Sequence, residues 1–206
     1  MNNFFTKFLL VSSCVFLTSA CTPVGVAAGA GASVGLAVVQ EGGVKGALSD
    51  TAIQFKIADA WIKYDFDMYR KLDLTVKEGR VLITGSVPDP DKRVEAVRLA
   101  WQADGVKQVL NEIMVDDGGG LGGVVKDSWI TSSIRTKIML DKNVKSVNYT
   151  VDTANGNVYI MGIAQDKKEL SRVVDYARNT SNVSNVVNYV RLKVDPVKQH
   201  HPVALN

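Results

Sequence analysis

The stretch Asn155-Gly156-Asn157-Val158-Tyr159-Ile160-Met161-Gly162 respells an earlier one, Glu78-Gly79-Arg80-Val81-Leu82-Ile83-Thr84-Gly85. Each glycine of the later phrase lies 77 residues after its counterpart in the earlier one (Gly79 to Gly156, Gly85 to Gly162). Both phrases are a turn signal followed by alternating apolar residues, the pattern of a β-hairpin's second arm. Carried outward without a gap, the same offset pairs Asp89 with Asp166, Val97 with Val174, Ala100 with Ala177, Val109 with Val186 and Asn111 with Asn188. A register that holds over this distance marks an internal duplication.

Within each copy the hydrophobic period changes in the same order. Ile53, Ile57 and Trp61, and again Ile130, Ile134 and Ile138, recur at i, i+4, i+8 and predict a helix. Alternation follows: Leu72, Leu74 and Val76 lead through Glu78-Gly79 to Val81 and Ile83. In the second copy Val147, Tyr149 and Val151 lead through a slightly longer Ala154-Asn155-Gly156 turn to Val158 and Ile160. A second helix is predicted from Val94, Val97 and Trp101, and from Leu170, Val173, Val174 and Ala177, opened by Asp91 or Asp166 near its positive end. Alternating strands (Val109 to Val115, Val186 to Leu192) close the copies. The fold class is α+β: two tandem α-β-β-α-β domains, each a three-stranded mixed sheet with two helices on one face. Tyr159, Met161 and Ile163 point away from the helix-covered face. That side is too apolar to stay wet on so small a domain, and it is the predicted interdomain packing face.

The domains so read occupy residues 48–116 and 126–195, joined by a Gly-rich linker at 117–125 and followed by a tail at 196–206. With 46% hydrophobic and 22% charged residues the chain is expected to fold, and a net charge of +3 is too small for a nucleic-acid-binding stripe. Residues 1–20 have the order of an export signal: Lys7, an apolar run, then small residues ending at Cys21. That ending resembles a lipobox, with Thr18 where Leu is usual, so Cys21 is the expected lipid attachment site and 21–47 a Gly/Ala-rich tether. Val11-Ser12-Ser13-Cys14 matches the pattern by letters but leaves too short an apolar run. A plain membrane anchor is the other reading, since Phe8 to Gln40 carries no charge. Cys14 and Cys21 are the only cysteines, so no disulfide framework is expected.

The doubled α-β-β-α-β unit, the V-x-I-x-G phrase of each hairpin and the segment Asp127-Ser128-Trp129-Ile130-Thr131-Ser132-Ser133-Ile134-Arg135-Thr136-Lys137-Ile138 together resemble BON domains. With Cys21 in front, the chain is similar to dual-BON outer-membrane lipoproteins of the division-site, phospholipid-binding kind. The resemblance implies a lipid-anchored outer-membrane protein facing the periplasm that supports envelope integrity. Its implied partners are anionic phospholipid, bound through the first helix of the second domain, and outer-membrane assembly proteins.

Enzymatic chemistry finds no foothold in the residues. His200 and His201 lie side by side in the C-terminal tail without a rigid frame, no cysteine remains in the folded region, and no serine has a framed histidine. No metal site, cofactor or catalytic residue is predicted; the covalent lipid on Cys21 is the sole expected adduct. The informative segment is the first helix of the second copy. Counted at about 100° per residue from Ile130, the core stripe ends near 80°, while Thr136, Trp129, Leu140 and Ser133 fall between about 240° and 300°. Lys137 stands beside them at about 340°, and Arg135 lies on the polar face at about 140°. Tryptophan favours a headgroup interface, and Lys126, Lys142 and Lys145 add attraction for anionic lipid. Trp129, Ser133, Arg135, Thr136, Lys137 and Leu140 are therefore the candidate phospholipid-binding residues. Packing of Trp129 on the other domain, or docking of a protein on the same stripe in a scaffold for barrel assembly or wall partners, stays open. The first copy has Ala52 where the register places Trp129.

Overall fold

A computed structural model describes residues 43–116 and 120–193, all within one compact unit. Cys14, Cys21, the rest of the signal and tether before residue 43, and the histidine tail lie outside the described residues. The first domain comprises α1 (Gly43–Tyr64), α2 (Phe66–Lys71), β1 (Leu72–Lys77), β2 (Arg80–Val87), α3 (Pro90–Trp101), β3 (Gln108–Asn111) and β4 (Met114–Val115). The second comprises α4 (Gly120–Leu140), β5 (Tyr149–Ala154), β6 (Asn157–Ala164), α5 (Lys167–Arg178) and β7 (Asn185–Leu192). In each sheet an antiparallel hairpin is extended by a parallel strand: β1-β2-β3, with β4 continuing on β2, and β5-β6-β7.

The repeated phrase is repeated because each glycine in it has a steric task. Glu78 and Gly79, and likewise Asn155 and Gly156, have positive φ (55° and 75°; 50° and 76°), the mark of a two-residue type I′ turn. The pairings Lys77↔Arg80 and Ala154↔Asn157 leave only those two residues in each loop, so the second turn is no longer than the first. Each turn is clamped by a helix carboxylate at the shared register. Asp50 accepts the N–H groups of Glu78 (2.7 Å) and Gly79 (2.8 Å), and Asp127 those of Asn155 (2.6 Å) and Gly156 (2.8 Å). At the other end of the phrase, a Cβ on Gly85 would collide with the Lys71 carbonyl, and one on Gly162 with the Asn148 carbonyl.

The helices differ from the sequence reading in four respects. α1 and α4 start at Gly43 and Gly120, inside the stretches read as tether and linker. Elongating a packed helix adds one bond per residue, which outweighs the glycine penalty that makes those stretches read as loops. The six-residue α2, too short to show a period, is capped by the Asp65 carboxylate and buries Met68. α3 is capped by Asp89, not Asp91, matching Asp166 on α5. The buried face of α3 is Ala96, Leu99 and Ala100, with Val94 and Trp101 exposed. The cause lies in α1: Trp61 is fully buried and its indole N–H donates to the Ala96 carbonyl (3.0 Å), so the facing positions must be small. The closing strand of the first domain is split into β3 and β4, whereas β7 runs unbroken along β6.

Three apolar clusters hold the fold. One lies between α1, α3 and the sheet face bearing Val81 and Ile83; a second lies between α4, α5 and the face bearing Val158 and Ile160. The third joins the domains: Leu82 and Leu110 meet Tyr159, Met161 and Ala154, with Met114, Val187 and Tyr189 alongside. The layers therefore run helices, sheet, sheet, helices. Ile163 is also buried, beside Arg191 in the β6–β7 register, outside that third cluster.

The contact between sheets is two-fold. Thr75 Oγ1 donates to Asp152 Oδ2 (2.9 Å), and the Tyr189 hydroxyl donates to Glu112; each pair joins a residue to its own counterpart 77 positions on. Self-pairing of this kind is what an axis through the contact produces. Off the axis, contacts come in reciprocal pairs: Arg191 donates to Glu78, and their counterparts Met114 and Asn155 meet with Nδ2 3.8 Å from Sδ. Around the axis, Arg80 is buried and donates to the Tyr189 carbonyl (2.9 Å) and to Gln108 (3.0 Å).

Candidate functional site

Ile130, Ile134 and Ile138 are buried against the second sheet, which fixes the rotation of α4 about its axis. The opposite side faces outward. Trp129 is 51% exposed, Leu140 72%, Val125 70% and Met139 67%. Between Val125 and Leu140, the residues from about 180° to 300° on the wheel are Val125, Trp129, Ser132, Ser133, Thr136, Met139 and Leu140, with no charge among them. The hydroxyl of Thr136 is taken up by the helix itself, donating to the Ser132 carbonyl (2.8 Å). The result is a broad, uncharged, exposed strip about four turns long on the outermost layer.

The two basic candidates are engaged elsewhere. Arg135 Nη2 donates to the Val151 carbonyl (2.6 Å) on the β5 edge, on the other side of α4 from Trp129. Gln54 makes the equivalent bond to Leu74 in the first domain (3.0 Å), so covering the edge-strand carbonyl is a task both copies share. Lys137 Nζ donates to Thr180 Oγ1 (2.8 Å), which ties α4 to the end of α5. Ser133 is half-buried at the margin of the strip. Val125 and Met139 belong to the strip and are not among the sequence candidates, although their wheel angles, about 220° and 180°, mark them as neighbours of Trp129.

Cations stand at both ends of the strip. Lys126 precedes Trp129 by three residues, and beyond Leu140 lies an open cleft of about 530 Å³ lined in part by Lys142, Lys145, Lys168 and Arg172. The cleft is lined by more cations than carboxylates, Asp166 and Glu169 being the acidic residues, and part of its polar lining is engaged within the protein. Buried Glu169 accepts the backbone N–H groups of Lys145 (2.8 Å) and Gln165 (2.7 Å). Asp141 receives Tyr176 (2.9 Å) and Arg172 (3.2 Å). The backbone N–H of Asn143, then the Tyr176 hydroxyl, hold the Asp141 carboxyl below its ordinary range. Burial, then the charge of Glu169, pushes the Tyr149 hydroxyl far up, so it stays protonated. Among the described residues no group of three or more His, Cys, Asp or Glu side chains is placed to hold a metal, and no helix is long and apolar enough to cross a membrane.

Comparison with known proteins gives the duplication a family. The BON domain matches residues 49–117 and 126–195. An "uncharacterized protein in gshII 5'region" of Anaplasma centrale is 43% identical over 147 residues, 71% of this chain and 96% of that one. The outer membrane lipoprotein DolP of Haemophilus influenzae is 29% identical over 142 residues, 68% of this chain and 72% of that protein. A 21 kDa hemolysin of Actinobacillus pleuropneumoniae is 32% identical over 124 residues, 59% and 63% of the two chains.

Proposed function

The chain belongs to the BON domain family through both of its halves, and from that premise we propose that it is an envelope lipoprotein which lays the outer face of α4 on anionic phospholipid. The observation that carries the proposal is the uncharged strip through Val125, Trp129, Met139 and Leu140. A helix face exposed on a folded domain is ordinarily interrupted by charge; this one is not over its whole length. Its tryptophan suits the headgroup layer and its leucine and methionine the acyl boundary just below. Lys126 and Lys142 at the strip's ends would each add about 1 kcal/mol near an anionic surface, which makes the contact sensitive to salt. An acyl group on Cys21 would be a second anchor, and two weak anchors together hold far better than either alone. The name of the Haemophilus influenzae relative is consistent with an outer-membrane, lipid-anchored site of action. In this role the protein catalyses nothing, and it supports envelope integrity by binding.

The test is flotation of residues 43–193 with vesicles of phosphatidylglycerol and phosphatidylcholine, alongside vesicles of phosphatidylcholine alone. Binding to the anionic vesicles only, reduced at least ~10-fold by Trp129→Glu, is expected. Because Trp129 is half exposed, the substitution leaves the core intact. Circular dichroism checks that. Wild type that ignores anionic vesicles, or a Trp129→Glu variant that binds them as well as wild type, refutes the reading.

A further inference from the structure

A second apolar seam runs along the outer face of α1. Leu48, Phe55 and Ile62 recur every seven residues and are 67%, 72% and 43% exposed, while Ile53, Ile57 and Trp61 on the other side fill the core. α1 and α4 occupy opposite outer layers of the helix–sheet–sheet–helix sandwich, on the order of 30 Å apart at about 10 Å per layer. If α4 rests on a bilayer, as proposed above, α1 faces away from it and its seam needs a different occupant.

The register between copies indicates what kind. Leu48 and Ile62 correspond to Val125 and Met139, so both helices expose apolar residues at these places. The flanks differ. Where α4 has Trp129, Ser133, Thr136 and Leu140, α1 has Ala52, Lys56, Asp59 and Lys63, and Lys45 stands where α4 has Gly122. Lys63 pairs with Asp59 (2.7 Å) and Lys56 with Asp104 (2.9 Å), all exposed. The other flank, Thr51 and Ala58, is neutral. A narrow seven-residue seam bordered by charge is how one helix recognises another, the apolar line giving adhesion and the flanking charges choosing the partner. Lys45, Lys56 and Lys63 against Asp59 and Asp104 leave that flank net positive, which favours carboxylates opposite. They also disfavour a second copy: an antiparallel two-fold pairing of α1 with itself would set the lysine-rich flank against the same flank, and a parallel one would set it against the neutral Thr51 and Ala58 flank, which offers the lysines no carboxylate.

We propose that α1 docks an acidic amphipathic helix of another protein along Leu48, Phe55 and Ile62. The contact spans about 21 Å of helix. Three apolar side chains fall well short of the roughly 800 Å² per partner of a standard interface, so the complex is weak and reversible.

The experiment uses the full chain reconstituted in phosphatidylcholine nanodiscs and a labelled synthetic helical peptide of about four turns. Its apolar residues are placed at heptad spacing and glutamates flank them; a matched peptide carries lysines instead. Anisotropy is expected to give a Kd on the order of 100 μM for the acidic peptide and at least ~10-fold weaker binding for the basic one. Phe55→Glu should weaken the acidic peptide at least ~10-fold and Phe55→Ala several-fold, whereas Trp129→Glu should change it by less than about two-fold. Equal binding of the two peptides, no binding up to about 1 mM, or indifference to both Phe55 variants overturns the proposal. So does self-association of the chain that Phe55→Glu abolishes, or loss of vesicle flotation in Phe55→Glu, since either would assign the seam to another occupant. If flotation shows no lipid binding while the acidic peptide still binds through Phe55, the lipid reading fails and the seam stands.

Discussion

A two-fold axis through the Thr75–Asp152 contact makes an exchange experiment decisive. In the native contact a hydroxyl donates to a carboxylate at 2.9 Å in a partly buried setting, worth about 1.5 kcal/mol at the low end for a bond to a charged acceptor. Asp152→Thr removes the charge and leaves two hydroxyls, at a cost of about 1.5 kcal/mol. Thr75→Asp sets two carboxylates against each other. At about 4 Å and an effective dielectric of about 20 their repulsion is about 4 kcal/mol, and because protonating a carboxyl at neutral pH costs about as much, uptake of a proton brings little relief. Were the contact an ordinary asymmetric one, the double exchange would cost roughly the sum, about 5.5 kcal/mol. Two-fold geometry instead lets the hydroxyl now on β5 donate to the carboxylate now on β1, the native bond with its ends swapped. The double variant should therefore recover to within about 1 kcal/mol of wild type, the remaining deficit arising from Asp73 on the same face of β1. Urea unfolding of the four proteins measures the cycle. The pH dependence supplies a second reading with a defined sign. In Thr75→Asp one carboxyl titrates higher in the folded than in the unfolded state, so its deficit is absent below about pH 4 and grows as pH rises through the folded value. A double variant as unstable as the sum of the singles refutes the two-fold arrangement.

Three further outcomes follow from the same geometry. Tyr159 and Tyr189, at the contact between sheets, are pushed up to about 12, chiefly by burial, with Glu112 beside them adding to it. Because their folded values exceed the unfolded ones, their stabilisation is complete below about pH 10 and lost as pH rises toward 12, by roughly 2 kcal/mol for buried Tyr159; Tyr159→Phe should flatten that limb of an alkaline stability profile, and an unchanged limb would contradict its assignment. Gly162→Ala, which drives a Cβ into the Asn148 carbonyl at a φ of 148°, should cost at least ~3 kcal/mol in urea, whereas Gly122→Ala, in open space on α4, should gain about 0.5–1 kcal/mol. Asp127→Asn and Asp50→Asn, each weakening a two-bond clamp on a hairpin turn, should each cost about 1–2 kcal/mol, and a difference above ~1 kcal/mol between them would deny the clamps equal roles.

What the sequence made legible was whatever has a local cause. The type I′ turns show as Glu78-Gly79 and Asn155-Gly156, the hairpins as alternation, and the core stripes of α1 and α4 as residues four apart, because each is set by backbone sterics within a few residues. Features decided across the sheet were not legible. The alanines of α3 mean nothing without Trp61 lying over them, so apolarity alone points to Val94 and Trp101 as a buried face. Arg135 and Lys137 read as free cations because their acceptors, a carbonyl 16 residues away and a hydroxyl 43 residues away, leave no periodic trace. The axis was invisible for a related reason: Thr75 with Asp152 and Glu112 with Tyr189 are ordinary letters until an offset of 77 is seen to be a contact.

That axis also gives the differences between the copies their meaning. A two-fold pair presents two equivalent outer helices, and two domains doing one job would be expected to spell their outer faces alike. Here the inward positions are spelled nearly alike, Ile53 with Ile130 and Ile57 with Ile134, with Trp61 against Ile138 absorbed by the small residues of α3. The outward positions diverge in one direction. Ala52, Lys56, Asp59 and Lys63 on α1 stand against Trp129, Ser133, Thr136 and Leu140 on α4, which removes every charge from one strip and narrows the other to a bordered seam. Packing demands none of these exchanges, since all of them lie on the solvent side of helices already fixed by their isoleucines. Burial thus holds the two domains to one shape while each outer layer is left free to meet a different surface.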